Sequence, residues 1–239
     1  MACSSMAEHL TVNQRVAGSS PATPANLLGL GHPKTGTGFT ANLLTHNGIP
    51  VGHERIKERG MISWLSVVDR DDTPWGVPSY KAMPEDTCVF LVTRSPISSI
   101  LSVIGENKIP ISFKWRRKVI LEEFGVDICS KKIGKGPVAQ AVGSLFYWYE
   151  LCKTHPLSYI YRVDIVEQDL DLSDFLHKEI RRGPEVETNS KPERHNWNHF
   201  VMEDLNYLTP QWVRNLQDMC DWLGYEKDIE KISEAVDLR

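Results

Sequence analysis

A continuous apolar run, Leu27-Leu28-Gly29-Leu30, passes directly into Gly31-His32-Pro33-Lys34-Thr35-Gly36-Thr37-Gly38. The next ten residues, FTANLLTHNG, place Phe39, Leu43 and Leu44 on one helical face and stop at Gly48. Strand, glycine-rich loop and helix in that order constrain the chain strongly. The helix start gathers unpaired N–H groups and the positive end of a dipole at one point. That point favours a phosphate or a group like it. Lys34 adds a positive charge, Thr35 and Thr37 add hydroxyl donors, and the glycines allow close backbone approach.

The same unit recurs. Thr87–Thr93 (TCVFLVT) is an apolar run of the kind buried on both faces of a parallel sheet, and Arg94-Ser95-Pro96 opens a helix through Ile104. Ile49–Val51 is a short extended piece, Met61–Val68 reads as a helix, and Asp69–Pro84, with its prolines, as a loop. Phe113–Phe124 and Pro137–Thr154 read as longer helices, and Tyr159–Val163 as a further strand. Lys191–Leu205 is a polar loop, and Thr209-Pro210 supplies an N-cap and a first-turn proline for a helix ending at Leu223-Gly224. Without repeats or linkers, residues 27–239 are expected to form one three-layer α/β domain with a central parallel sheet flanked by helices.

Residues 1–26 show no helical or strand period. Gly18–Ala22 (GSSPA) is what the T-arm of a tRNA gene gives when translated in one frame, and codons for the whole segment can be chosen to form a cloverleaf with a GTT anticodon at Thr11-Val12-Asn13. The expectation is either a translated asparagine tRNA gene or a disordered tail, and no chemistry is assigned to it.

Composition narrows the partners. A formal charge of −4 argues against general nucleic-acid binding while leaving room for a local cationic pocket. No apolar stretch is long enough to span a bilayer, and no secretory signal is legible, so a cytoplasmic location is expected. Five cysteines without CxxC or Cys/His clustering point to reduced thiols and to no zinc site.

A nucleotide-hydrolysing phosphate loop carries lysine directly after its second glycine, followed by Ser or Thr. Here Gly31 and Gly36 have the spacing, but Thr37 occupies the lysine position, and Arg94 stands where a magnesium-holding carboxylate is needed. A small-molecule kinase of that type, or a non-catalytic nucleotide-binding domain, is the alternative. Pro33-Lys34-Thr35-Gly36-Thr37 instead resembles the 5′-phosphosulfate loop of the sulfotransferases, with Gly38 in place of the usual Thr or Ser. Their second signature is an arginine ending a strand, a proline-containing turn and a serine eight residues on; Arg94 and Ser102 have that spacing.

The resemblance implies a donor, 3′-phosphoadenosine 5′-phosphosulfate (PAPS), and no metal. Pro33, Lys34, Thr35, Gly36, Thr37 and Gly38 would hold its 5′ side, and Arg94 and Ser102 its 3′-phosphate. Asn189-Ser190-Lys191 and Arg194-His195 resemble a loop that closes basic side chains over the nucleotide, so Lys191 and Arg194 join the donor-binding set. Tyr161-Arg162-Val163-Asp164 resembles a strand end of bacterial and carbohydrate members. Gly52-His53-Glu54 is similar to a Gly-x-Glu of protein-tyrosine sulfotransferases whose glutamate is the general base.

The expected activity is transfer of a sulfuryl group to a hydroxyl or amine of a small-molecule, carbohydrate or peptide acceptor. Lys34 would stabilise the leaving phosphate, Glu54 would take the acceptor proton, and His53, expected on the opposite side of an extended segment, is the second candidate. His32, next to the loop, is a further candidate for the base and could as well cap or line the loop. Trp64, Trp75, Tyr80 and Trp115 are core residues or stacking platforms, and Lys114-Trp115-Arg116-Arg117-Lys118 is a solvated basic face or an attractor of acidic acceptors.

Overall fold

The structure is a computed structural model of the chain that describes Pro24, residues 26–183 and residues 201–237. The expected tRNA-like segment, apart from Pro24 and Asn26, lies outside the described residues, as do Lys191, Arg194 and His195.

Five strands form one parallel sheet: β1 (Leu27–Gly31), β2 (Gly52–His53), β3 (Gly60–Ser63), β4 (Cys88–Thr93) and β5 (Leu157–Arg162), in the order β2-β3-β1-β4-β5. The helices are α1 (Thr37–His46), α2 (Pro96–Glu106), α3 (Pro110–Phe124), α4 (Gly136–Lys153), α5 (Gln168–Leu176), α6 (Pro210–Leu223) and α7 (Glu226–Asp237). Side chains alternate along each strand, so each inner strand feeds both faces of the sheet. Leu28, Leu30, Met61, Val89 and Leu91 pack into a core shared with α2, α3, α4 and α6. Leu27, Ile62, Phe90 and Val92 pack into the other, shared with α1 and α5. Sheet and two helical layers make the domain a three-layer α/β structure. Among the described residues no helix is long and apolar enough to cross a membrane.

Because β1 is central, the chain leaves it toward β3 and β2 on one side and β4 and β5 on the other. The loop after β1 therefore lies at the point where the strand order reverses, above the carboxyl ends of the strands, where open α/β sheets place ligands. Glycine at 31 is required there, because a Cβ would stand 2.6 Å from the Val92 carbonyl oxygen.

One expected element is wrong. Met61–Val68 is not a helix: residues up to Ser63 are strand β3, paired in register with β1, and Leu65–Val67 form a single 3-10 turn. A four-residue apolar strand running into a turn imitates the apolar content of a short buried helix, and the ladder offered by β1 decides the outcome.

Candidate functional site

Helix α1 begins without help from the chain. Its N-cap, Gly36, has φ 103°, and no side chain caps the helix. The first-turn N–H groups are thus free to receive an outside acceptor. Gly36 cannot readily be replaced, since its φ is left-handed and a Cβ would lie 2.7 Å from Val163. The preceding turn is held internally: Thr35 Oγ1 donates to the His32 carbonyl at 2.7 Å, and the His32 N–H donates to Thr35 Oγ1 at 3.2 Å.

Four non-glycine residues among those described have positive φ, and two of them are Lys34 (73°) and Glu54 (54°). Such conformations cost on the order of 1 kcal/mol and persist where the surroundings impose them. Lys34 projects its ammonium, half-exposed, to within 3.3 Å of Glu106 Oε2, a buried carboxylate in the last turn of α2. Ser102 lies one helical turn before Glu106, so the half-buried Ser102 face of α2 is turned toward the loop. Arg94 follows the end of β4, half-buried, with no carboxylate partner among the described residues.

Glu54 and His53 do not point to opposite sides. The left-handed turn at Glu54 breaks the strand alternation, and His53 Nε2 comes within 3.4 Å of Glu54 Oε1 and 3.3 Å of Thr37 Oγ1. Glu54 is fixed from above by β3: the Ser63 hydroxyl donates to Oε2 and the Trp64 N–H to Oε1. Burial outweighs those hydrogen bonds and pushes the Glu54 carboxyl up to about 7. Burial also lowers the His53 imidazole below its usual value. Both shifts favour the uncharged forms and so weaken the ionic attraction across the 3.4 Å contact between His53 Nε2 and Glu54 Oε1.

The His53 ring also covers Gly38, whose Cβ position is 3.5 Å from His53 Cε1. The imidazole fills space beside the residue that departs from the usual loop pattern.

Beneath the loop lies a buried relay that sequence reasoning missed. Arg116, read as part of a solvated basic face, is fully buried, and its Nη1 donates to Ser144 Oγ at 2.6 Å and to His32 Nε2 at 3.1 Å. With Nε2 accepting, the His32 proton resides on Nδ1 and is donated to the Pro33 carbonyl at 2.7 Å. Desolvation, aided by the Arg116 charge, holds His32 well below its usual pKa, so it stays neutral. The relay fixes the loop's shape. Only Arg117 and Lys118 of that cluster face outward into ion pairs, with Asp127 and Asp72. Trp64 and Trp115 are buried against Trp148 and so are not exposed platforms, whereas Trp75 is 63% exposed. Thr209 stands at the N-cap of α6 as expected, but its hydroxyl reaches the Lys132 carbonyl and does not cap the helix.

Among the described residues, no group of three or more His, Cys, Asp or Glu is arranged to hold a metal ion. No family model, curated protein or solved structure matches the chain.

Proposed function

We propose that the chain is a sulfotransferase that moves a sulfuryl group from PAPS to a hydroxyl or amine acceptor. The observation that carries the reading is the uncapped N-terminus of α1 with Lys34 on one side and, across Thr37 and His53, a carboxylate poised near neutrality. A site of that kind offers what sulfuryl transfer needs: donors for an anion and a base for the acceptor proton.

In this reading the first-turn N–H groups and Thr37 hold the donor's 5′-phosphate, and Lys34 turns from Glu106 to meet charge developing on the leaving oxygen. Arg94 and the Ser102 face of α2 take the 3′-phosphate. Glu54, held by Ser63 and Trp64, accepts the acceptor proton; His53 orders it and closes the space above Gly38. Lys191 and Arg194 would close over the nucleotide. The acceptor is a small molecule, carbohydrate or peptide.

Thermal stabilisation tests the reading against a kinase. Adenosine 3′,5′-bisphosphate should raise the melting temperature without added metal, and ATP with magnesium should raise it less. A shift with ATP and magnesium alone would overturn the proposal.

A further inference from the structure

Glu106 stands where a helix gains nothing from an acid. It lies in the last turn of α2, at the negative end of the helix dipole, and it is buried. A carboxylate is disfavoured on both counts. The stability of α2 therefore does not explain it, and attention passes to its ion-pair partner, Lys34 Nζ, at 3.3 Å from Oε2.

The two partners differ in freedom. The Glu106 side chain is 8% exposed and that of Lys34 47%. The next residue, Asn107, is tied to buried Arg116, whose Nη2 donates to Asn107 Oδ1 at 2.9 Å, so the end of α2 is held in place. Lysine carries its charge on a flexible four-carbon stem. Lys34 is the partner that can leave, and Glu106 the one that stays.

Departure of Lys34 does not strand a lone buried charge. Burial lowers the Arg116 pKa only to about 10, so its guanidinium is charged at neutral pH, and the charge of Glu106 acts on it. The groups that accept its hydrogen bonds, His32, Ser144 and the Asn107 side-chain carbonyl, are neutral. Arg116 thus remains as a fixed counter-charge when the ammonium turns away, which moderates the cost of the exchange.

We infer that Glu106 is an internal gate on the anion site: its carboxylate holds Lys34 at rest, and a phosphate-bearing ligand must take the ammonium from it. The gate lowers the affinity of every such ligand by one factor. A lone inorganic anion, with few other contacts, is kept off the loop, whereas a nucleotide with two phosphates retains the surplus from Arg94 and from Ser102, one turn earlier on the same helix. This gate rests on the reading of the loop after β1 as a phosphate site, and not on the identity of the group transferred.

Titration with inorganic phosphate without metal, followed through the amide resonances of Gly36 and Thr37, tests the gate. Glu106→Gln should bind phosphate about two- to fivefold more tightly than wild type, the worth of a half-exposed ion pair, and adenosine 3′,5′-bisphosphate more tightly by the same factor. Removing a merely structural acid gives no such gain. In a Lys34→Ala background the substitution should bring no gain either. If Glu106→Gln fails to fold, Glu106→Asp keeps a carboxylate for Arg116 while drawing it back from Lys34, and should show a gain in the same direction. Equal or weaker phosphate binding by the folded variant, no binding by wild type and variant alike, a gain that persists without Lys34, or failure of both variants to fold each overturns the gate. Adenosine 3′,5′-bisphosphate binding the wild type no more tightly than phosphate would instead count against the sulfotransferase reading, and the phosphate comparison would still judge the gate.

Discussion

Two junctions in this molecule share one plan and differ in one respect. At both, a buried parallel strand ends, the chain turns, and a helix starts at the carboxyl edge of the sheet: β1 to α1, and β4 to α2. The start of α2 is filled by the protein itself. Ser95 Oγ accepts from the Ser98 N–H, Asp228 of α7 accepts from the Ile97 N–H and the Ser95 hydroxyl, and Asp164 accepts from the Ser95 N–H. The start of α1 has a left-handed glycine and no cap. Two carboxylates stabilise the first helix dipole that an outside anion must serve at the second. A helix N-terminus is thus a site only where the fold leaves it open, and the other serves stability.

If that difference is real, emptying the open junction should damage function and emptying the filled one should damage stability. Lys34→Ala should give the largest effect, a loss of transfer of about a hundredfold or more in a steady-state assay, since one preorganised donor to developing charge is worth that much. Near-full turnover of a purified, folded variant would remove the loop from the chemistry.

Glu54→Gln should slow turnover by about a hundredfold while binding of adenosine 3′,5′-bisphosphate is unchanged. The wild-type rate should rise with pH through about 7, as the raised carboxyl loses its proton, and that limb should vanish in the variant. Stability carries the opposite sign. A carboxyl raised in the folded state binds its proton more tightly there, so its favourable contribution is complete below about 4.5 and is lost as pH rises through about 7. Denaturant melts at several pH values should therefore show wild type losing ground to Glu54→Gln across that window.

Asp228→Ala addresses the filled junction. It should cost about 1–2 kcal/mol of unfolding free energy, the usual worth of a lost helix cap, and leave turnover of the folded protein close to wild type. A loss of activity without loss of stability would show that the start of α2 serves the ligand after all. The smallest effect is expected from Gly38→Ala, whose Cβ would meet His53 at an ordinary 3.5 Å. It should raise stability by about 0.5–1 kcal/mol by removing a glycine from a helix.

The junctions were legible because their signals are local. Apolar runs, Gly-rich or Pro-containing turns and helical spacing lie within a few residues of each other, and together they specify a parallel α/β sheet. Strands β2 and β3 were not, because two and four residues carry no period of their own; β3 owes its state to β1, and β2 to β3. The convergence of His53 and Glu54 depends on a positive φ at a glutamate, which no residue-type preference announces. Arg116 hides in a basic run whose neighbours do face solvent, and its burial follows from Ser144, which lies 28 residues away on α4. Asp228 reaches Ser95 across 133 residues, so nothing near α2 signals that its start is already filled.

The contrast between the junctions is tested most directly by amide NMR during titration with adenosine 3′,5′-bisphosphate. The account predicts that the Gly36, Thr37 and Gly38 N–H resonances shift as their protons meet the 5′-phosphate, while the Ile97 N–H, held by Asp228, stays in place. Shifts centred on Ile97 with Gly36, Thr37 and Gly38 unmoved would contradict it.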